Sequence, residues 1–419
     1  MSRGLIANTA GTALFAVIED EVYSIASTGV RTSIGTLHSR RGHVGMYVGL
    51  TQLVIVDGLY GYVYDLTTKV FSEITSDGWL GSSTVSQLGG YYSFIATALD
   101  QRQTFYNSAF EDAATLDAGE FATANNSPDR LIGQVRGNNQ LFYFGEVSTE
   151  VWELNASESA VDSVFIRANT VLDVGLLAAH TAKILDNAPY FLGRDERGAG
   201  MVYRISGMRA ERISTMAIEE KIQKAISDGE DVSQAVAYAY QQGGHSFYAL
   251  NVPGVSTTWV YDAASHLWHE RTDFELGEHI QHRAKYHAYC YGKHCVAGDD
   301  DVVYFYDIDA NTNAGDPLVR ERVSPHYATP TLDINAFRSF ELDCTVGKGL
   351  PDGSEAQAML RYSNDGGVSW SDWRHATLGS EGEHRARARW LRLGSARDRV
   401  WATRVTADVQ VAIINASIQ

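Results

Sequence analysis

The chain contains few cysteines, few prolines and no long apolar run. Three cysteines in 419 residues give no disulfide framework and are typical of a protein made in a reducing cytoplasm. The first twenty residues do not resemble a signal peptide, and no apolar stretch approaches the length that spans a bilayer. We therefore expect no membrane insertion by this chain. Seven prolines beside 38 glycines favour many tight hairpins over rigid linkers.

The motifs of common catalytic sites are also missing. The sequence contains no H-E-x-x-H, no G-x-S-x-G and no G-x-G-x-x-G, which are typical of zinc proteases, serine hydrolases and dinucleotide-binding folds. One segment has the composition of a metal site, with His279, His282, His287, Cys290, His294 and Cys295. Its spacing fits no standard zinc pattern, and buried cysteines in a strand are the simpler interpretation. We predict no catalytic residue, no cofactor and no metal.

Positive charge is scarce overall but concentrated near the end of the chain. The formal net charge is −17, which argues against a protein that grips DNA phosphates. Residues 372–404 nevertheless hold eight arginines and only four acidic residues. This basic segment on an acidic body suggests contact with another acidic surface, such as a neighbouring subunit, and a solvated strand face is the alternative.

A Tyr-Asp hairpin pattern recurs along the chain and indicates the architecture. Gly61–Phe71 and Thr258–Trp268 each show alternating strand residues that stop at an Asp and resume at an aromatic residue, and Val303–Asn311 repeats the pattern up to the Asp. An Asp at such a point accepts hydrogen bonds from backbone N–H groups of the turn. With weaker copies included, the key aromatic residues are Tyr23, Tyr64, Tyr106, Trp152, Tyr203, Tyr261 and Tyr306.

The spacing of these aromatic residues predicts an all-β fold with a β-propeller. Their intervals are 41, 42, 46, 51, 58 and 45 residues, and a period in the forties with several strands per unit is typical of propeller blades. An unrelated β-sandwich with chance aromatics is the alternative. We predict six or seven blades over residues 1–325. The longest interval contains a predicted short helix near 215–229, with Ile218, Ile222, Ala225 and Ile226 on one face.

The segment after 330 shows a different strand pattern. Five stretches alternate between polar and apolar residues, which predicts a C-terminal antiparallel β-sandwich over 330–419. Within it, Ser363, Asp365, Gly367 and Trp370 fit the Asp-box pattern S-x-D-x-G-x-x-W. Since the Asp holds the turn and the Trp packs beneath it, we expect this box to be structural rather than catalytic.

Four arginines in the sandwich are the candidate interface residues. Arg385, Arg387 and Arg389 alternate with alanines, so they share one face of a predicted strand, and Arg392 follows closely. A row of like charges on one face is costly unless solvent or an acidic partner lies opposite. We therefore expect these residues to contact a neighbouring subunit or an adaptor protein.

Several stretches resemble the packaged-DNA stabilisation proteins, also described as tail-hub or nozzle proteins, of short-tailed bacteriophages. The stretches are Val202–Ser206, Glu211–Glu219, Gly243–Asn251, Thr258–Arg271 and Arg389–Arg399, and the similarity extends from Ser2 to the end. Family members carry an N-terminal segment before this point, so closure of the first blade is left open at this stage.

The resemblance implies a structural role in the virion tail after synthesis in the host cytoplasm. It implies a hexameric ring below the portal and its adaptor ring, which closes the portal channel, retains packaged DNA and conducts it on ejection without binding it tightly. The implied partners are the portal and adaptor, tailspikes or tail fibres, and a tail plug or needle. No catalysis is implied.

Two other functions are compatible with a propeller. One is a glycosidase or depolymerase that acts on host surface polysaccharide, which needs an acid–base pair of carboxylates at the mouth of the blades. The other is a cytoplasmic adaptor that binds peptides on a flat face of the propeller. A ring in solution distinguishes a nozzle from both.

Overall fold

The computed structural model describes residues 1–98, 101–123, 129–155, 163–350 and 352–419, and at 117–121 it describes the backbone alone. The chain forms two compact units, Met1–Tyr306 and Asp307–Gln419. The first consists of seven successive antiparallel sheets, which we number as blades 1 to 7. The sequence left six or seven blades open, and the structure has seven. It confirms the all-β prediction of a propeller followed by a sandwich.

Blades 1 to 4 each have four strands. Blade 1 comprises β1 (Ser2–Ala7), β2 (Leu14–Ile18), β3 (Glu21–Ile25) and β4 (Arg31–Thr36). Blade 2 comprises β5 (Gly45–Val48), β6 (Gln52–Val56), β7 (Gly61–Asp65) and β8 (Phe71–Glu73). Blade 3 comprises β9 (Val85–Leu88), β10 (Tyr91–Ile95), β11 (Thr104–Phe110) and β12 (Asp112–Thr123). Blade 4 comprises β13 (Gly133–Gly137), β14 (Gln140–Phe144), β15 (Thr149–Leu154) and β16 (Phe165–Leu172).

Blades 5 and 6 have five strands and blade 7 has three. Blade 5 comprises β17 (Gly175–Leu176), β18 (Lys183–Leu185), β19 (Ala188–Asp195), β20 (Gly198–Ser206) and β21 (Arg209–Arg212), with a 3₁₀ turn at Ala179–Thr181. Helix α1 (Met216–Ser227) and a 3₁₀ turn (Val232–Gln234) follow. Blade 6 comprises β22 (Val236–Gln242), β23 (His245–Asn251), β24 (Thr258–Asp262), β25 (Leu267–Glu275) and β26 (Glu278–Gln281). Blade 7 comprises β27 (Tyr286–Cys290), β28 (Lys293–Ala297) and β29 (Val303–Tyr306).

The key aromatic residues occupy equivalent places, as the repeat pattern predicts. All seven lie on the third strand of the main path of their blade, from Tyr23 on β3 to Tyr306 on β29. Tyr64 pairs in register with Phe71, and Tyr261 pairs with Trp268. The backbone N–H groups of Thr67 and Thr68 both donate to Asp65 at 2.7 Å. The Asp therefore makes the turn that the sequence predicts.

The inner strands form a closed ring. β1, β5, β9, β13, β18, β22 and β27 each contact the next, and β1 also contacts β27. The backbone N–H of Ser2 donates to the Gly298 carbonyl at 3.1 Å, and that of Tyr291 donates to the Gly11 carbonyl at 2.8 Å. Blade 1 therefore closes against blade 7 through β1 itself, which answers the question that the resemblance left open.

Helix α1 lies inside the predicted range 215–229. Ile218, Ile222 and Ala225 are buried in a core shared with blades 5 and 6. Ile226, predicted on the same face, is 37% exposed because it lies in the last turn, beside the exposed Gly229.

The second unit is built from short strands. They are β30 (Thr312–Asn313), β31 (Asp316–Pro317), β32 (Arg320–Val323), β33 (Tyr327–Ala328), β34 (Asn335–Ala336), β35 (Ser339–Cys344), β36 (Gln357–Ser363), β37 (Arg374–Thr377), β38 (Ala388–Leu391), β39 (Ser395–Ala396), β40 (Asp398–Val405) and β41 (Ile413–Ile418). One sheet has the order β32-β40-β36-β37, with β33 also on β40, and another has the order β38-β35-β41. Their inner faces bury one core that contains Phe340, Leu360, Trp390 and Trp401.

The division between the units lies earlier than the sequence boundary of 325–330. Strand β32 pairs with β40 along Arg320–Val323, which places those residues in the sandwich sheet. The last strand also starts later than the pattern Val409–Ile414 predicts, since β41 is Ile413–Ile418. Short polar strands such as β32 have no strong alternation, which is why the sequence did not reveal them.

Candidate functional site

One of the candidate interface arginines, Arg389, lies on the outer face of the sheet β38-β35-β41, and the other three lie on the segments that flank β38. Arg389 is on β38, where the neighbouring Ala388 and Trp390 point into the core. Arg385 and Arg387 precede this strand, Arg392 follows it, and all four side chains are exposed. The strand is shorter than the predicted alternation, because Arg385 lies in a turn in which the Ala386 N–H donates to the Glu383 carbonyl at 3.2 Å, and the regular strand covers only Ala388–Leu391.

Two acidic residues of the same sheet, Glu341 and Asp343, lie on the outward side of β35 and partly neutralise this face. Glu341 on β35 lies opposite Arg389 in the register. Its carboxylate is 3.3 Å from Arg387 Nη1 and 3.9 Å from Arg389 Nε. These ion pairs are half exposed, so each contributes little stability in water. The face keeps a net positive charge. The repulsion among its arginines is nevertheless weaker than the sequence suggests, because Glu341 lies between two of them.

The other four arginines of the basic segment are used inside the unit. Arg374 Nη2 donates to the Leu391 carbonyl, and Arg397 Nη1 donates to the Leu332 carbonyl, both at 2.8 Å. Arg404 pairs with Glu321, 2.8 Å from Nε to Oε2. Arg399 is almost fully buried. Four of the eight arginines of the basic segment therefore remain as candidates for contact with a partner.

Arg399 is buried beside aromatic rings. Its guanidinium carbon lies 4.1 Å from the ring centre of Tyr362 and 4.4 Å from that of Phe337. Nε donates to Asn364 Oδ1 at 2.8 Å, and Nη1 donates to the Leu393 carbonyl at 2.7 Å. Burial lowers the pKa of Arg399, and the rings and carbonyls stabilise the cation that remains. Sequence pattern alone did not distinguish this arginine from its exposed neighbours.

A shallow cleft of about 540 Å³ adjoins the arginine face. It is lined by Ala336, Phe337, Arg338, Leu391, Arg392, Gly394 and Ser395. Arg338 and Arg392 flank its apolar floor, and the Arg392 N–H donates to the Arg338 carbonyl at 3.0 Å. Arg392 has φ of 58°, which turns the chain sharply at the end of β38.

The Asp box has the geometry of a turn. Ser363 Oγ donates to Asp365 Oδ1 at 2.6 Å and accepts from the Gly367 N–H at 2.8 Å. The Ser369 N–H donates to Asp365 Oδ1 at 2.9 Å. Hydrogen bonds from Ser363 and Ser369 lower the pKa of Asp365 to about 2. A carboxylate held in the charged form cannot serve as a general acid near neutral pH. Gly367 has φ of 96°, a backbone conformation that glycine adopts far more readily than other residues.

The histidines and cysteines near 290 lie on opposite faces of blade 7. Cys290 and Cys295 belong to the apolar cluster shared with blade 1. His287 and His294 contact each other on the side of blade 6, with 3.0 Å between Nε2 and Nδ1. Within the described ranges, no group of three or more His, Cys, Asp or Glu is placed to hold a metal ion. The third cysteine, Cys344, is buried in the sandwich.

Side chains from several blades close the axis of the propeller at one end. His43 precedes the inner strand of blade 2, and its Nε2 donates to the Gln234 carbonyl at the start of blade 6 at 2.9 Å. Its Nδ1 accepts from the hydroxyl of Tyr286 in blade 7. The His180 ring of blade 5 lies 5.3 Å away. Blades 2 and 6 are not neighbours in the ring, so these contacts cross the axis. Burial lowers the pKa of His43 and of His180.

Two family models match the chain in the order of its two units. The model described as bacteriophage P22 Gp10, beta-propeller, matches residues 1–313. The model described as bacteriophage P22 Gp10, beta-sandwich, matches residues 327–419. The chain belongs to this family. This member of the P22 Gp10 family is accordingly a structural protein of the bacteriophage tail, which assembles with other components of the virion.

Comparison with solved structures gives weaker likenesses. A chain of the mitotic checkpoint complex aligns with a TM-score of 0.46 and 11% identity, over 73% of this chain and 86% of that one. The N-terminal domain of Nup159 aligns with a TM-score of 0.45 and 9% identity, over 72% of this chain and 88% of that one. No curated protein gives a significant match. Among the described residues, no helix has the length and apolar character needed to cross a membrane.

Proposed function

We propose that this P22 Gp10 family protein forms a hexameric ring that acts as the tail nozzle below the portal and its adaptor ring. In this position it closes the portal channel, retains the packaged DNA and conducts it on ejection. The observation that carries the proposal is the match of both family models, in order, over nearly the whole chain. The ring also offers attachment to tailspikes or fibres and to a plug or needle.

In this arrangement, the contacts across the propeller axis favour a DNA path outside the individual propeller. Because His43, Tyr286 and the Gln234 carbonyl meet across the axis, a duplex cannot run through an individual propeller. The path is then the lumen enclosed by the copies of the ring. A chain with net charge −17 gives that lumen little general attraction for phosphates, which favours rapid release.

The exposed arginines supply a surface for contact with the next copy or with the adaptor. Arg385, Arg387, Arg389 and Arg392 are exposed and close together in the sequence of the sandwich, whereas the rest of the chain is acidic. Complementary charge of this kind guides docking and fixes orientation more than it adds affinity. The Asp box at Ser363–Trp370 lies in the second unit and outside the propeller.

Electron microscopy of purified tails, with the protein labelled, tests the proposal. We expect a six-fold ring directly below the adaptor, with an open lumen along the tail axis. A protein that remains monomeric in particles, or that sits at the tips of the fibres, contradicts a nozzle. Hydrolysis of host surface polysaccharide by the purified chain supports the depolymerase instead.

A further inference from the structure

Blade 7 lacks the fourth strand that its own turn signature leads one to expect. In blades 2 and 6, Asp65 and Asp262 make the turn that leads into β8 and β25. In blade 7 the Asp309 N–H donates to Asp307 at 3.0 Å, so the turn begins in the same way. No strand then pairs with β29, whose only partner among the described strands is β28. The outer edge of this sheet therefore stays open.

Phe305 shows that the open edge leaves apolar surface uncovered. It directly precedes the key aromatic residue Tyr306, and six residues hold the same place in the other blades: Val22, Val63, Phe105, Val151, Val202 and Val260. Those six are between 0% and 4% exposed, whereas Phe305 is 50% exposed. Each of the six faces the following blade, but Phe305 faces the seam with blade 1. Since the six equivalent side chains are buried, the exposure of Phe305 results from its place at the seam between blades 7 and 1 and not from its place in the repeat.

Further apolar and acidic groups surround this edge. Arg31 donates to the Asp301 carbonyl at 2.7 Å, which brings the turn before β4 against the turn before β29. Val30 and Val302 on these two turns are 61% and 39% exposed. Aspartates bracket β29 on both sides: Asp299, Asp300 and Asp301 precede it, and Asp307 and Asp309 follow. We call Phe305, Val30, Val302 and the free edge of β29 the seam patch.

The sandwich carries a second open edge, and its charge is opposite. Strand β41 pairs only with β35 among the described strands, and its side chains are mostly exposed. Ser339 and Gln419 exchange both backbone hydrogen bonds. Because antiparallel pairs alternate, the N–H groups of Ala416 and Ile418 point away from β35. The same sheet carries Arg387 and Arg389 on its outer face.

We propose that β41 of a second copy pairs with the free edge of β29 and completes blade 7 in trans. The proposal rests on the ring assembly of the proposed function. A ring of identical subunits needs a contact between two different surfaces of the chain, and these two open edges differ. Edge pairing supplies backbone hydrogen bonds, as in strand addition to a sheet edge. Asp300, Asp307 and Asp309 complement the arginines beside β41, whereas Asp299 and Asp301 already pair with Lys285 and with the amino group of Met1.

Two substitutions with matched controls test the edges in purified tails. Phe305→Ser removes the exposed ring, and Phe110→Ser does the same to a phenylalanine that is 64% exposed on blade 3. Ala416→Pro removes an outward N–H without a bond to β35, and Ala416→Val keeps that N–H. We expect Phe305→Ser and Ala416→Pro to lower incorporation into rings by about tenfold or more, with unchanged melting temperature. The two controls should assemble normally.

A cross-link identifies the occupant of the seam patch. Cysteines at Phe305 and Ser417, joined by a short bis-maleimide, should give covalent multimers of this chain only when both are present. The three native cysteines are buried. Intact rings that tolerate both edge substitutions and give no multimers overturn this inference and leave the nozzle standing. Cross-linking of Phe305→Cys to a different virion protein also overturns it. Absence of rings in the unmodified protein overturns the nozzle and this inference together.

Discussion

Arg399 has no carboxylate partner among its described contacts, and aromatic rings and neutral oxygens stabilise it instead. A face-on ring contributes about 0.5–2 kcal/mol to a cation that is shielded from water. Asn364 and the Leu393 carbonyl accept two of its N–H groups. The residue thereby joins β40 to the Asp-box loop and to the segment after β38. Its role is to hold the sandwich together, whereas Arg387 one sheet away remains available to a partner.

Asp365→Ala should destabilise the sandwich without affecting any binding surface. The carboxylate accepts from Ser363 and Ser369, and its loss leaves the turn without these bonds. We expect a lower melting temperature for the second unit in calorimetry. Asp372→Ala removes the same charge from a neighbouring exposed position and should melt normally. Loss of infectivity at unchanged melting temperature would show that the box has a role beyond the turn.

The Asp box could be predicted from the sequence, whereas the burial of Arg399 could not. The Asp box is recognisable because a turn imposes Ser, Asp, Gly and Trp at fixed spacing. The burial of Arg399 is not recognisable, since Arg397, Arg399 and Arg404 share a similar local pattern. Their environments are decided by partners 35 to 83 residues away, such as Asn364 and Glu321. The contacts of His43 across the propeller axis join blades that are distant in sequence, so no local sequence pattern predicts them.

At the scale of elements, α1 offers a matched pair of isoleucines. Ile222 is fully buried between blades 5 and 6, whereas Ile226 is 37% exposed one turn later. Ile222→Ala should lower the free energy of unfolding of the propeller by about 2–5 kcal/mol, because it leaves a cavity. Ile226→Ala should cost much less. Urea denaturation followed by tryptophan fluorescence measures both, and equal losses would contradict the burial of this face.

The arginine face makes a prediction about assembly. Changing Arg385, Arg387 and Arg389 together to Glu should leave the sandwich folded but prevent incorporation into tails, because an acidic partner is then repelled. Since Glu341 pairs with two of these residues, adding Glu341→Arg restores the local ion pairs while the face stays acidic. Normal melting with failed assembly in both variants identifies an interface. Infectious particles with normal amounts of the variant would show a solvated face.

The sequence predicted where strands form better than it predicted which strands remain unpaired at the edge of a sheet. Every key aromatic lies on a third strand because alternation and the Tyr-Asp turn are local properties. The missing fourth strand of blade 7 was not predicted, since Asp307 starts the same turn as Asp65. The sequence therefore predicted a propeller that extends to residue 325, whereas the first unit of the structure ends at Tyr306. Which strand ends up unpaired is a property of the whole fold rather than of a short segment.

At the scale of the whole molecule, assembled rings should not bind duplex DNA tightly. Each copy carries −17, and each phosphate contact that a protein does make adds salt-dependent affinity, with a slope of about 0.9 in log K per log salt. A titration with linear duplex at low salt should detect no sub-micromolar binding. Tight, sequence-independent binding would instead indicate a lumen lined by the exposed arginines.

The propeller should lose stability as the pH falls below about 6.5. Burial lowers the pKa of His282 to about 4 and that of His287 to about 3, and it also lowers the pKa of His43 and His180. The unfolded chain therefore binds more protons than the folded one, so acid favours unfolding. Each group contributes up to about 1.4 kcal/mol per pH unit between its unfolded and folded values.

Denaturant unfolding at a series of pH values checks this dependence. His287→Gln should reduce the slope of unfolding free energy against pH between about 6.5 and 4, because one titrating group is removed. If the free energy of unfolding is constant over this range, the buried histidines take up protons in the folded state as readily as in the unfolded chain.

The closure of blade 1 against blade 7 fixes the order in which the ring can be completed. The backbone bonds of this seam join Ser2 to Gly298 and Gly11 to Tyr291, so the first blade cannot find its neighbour until almost the whole propeller has been synthesised. At about 5–20 residues per second on the ribosome, that wait lasts roughly 15–60 seconds. During it the apolar flank of β1 and β2 has no cover from the last blade. Ring closure is thus the last step in the folding of the propeller, and until then this flank of a nascent chain is open to other chains.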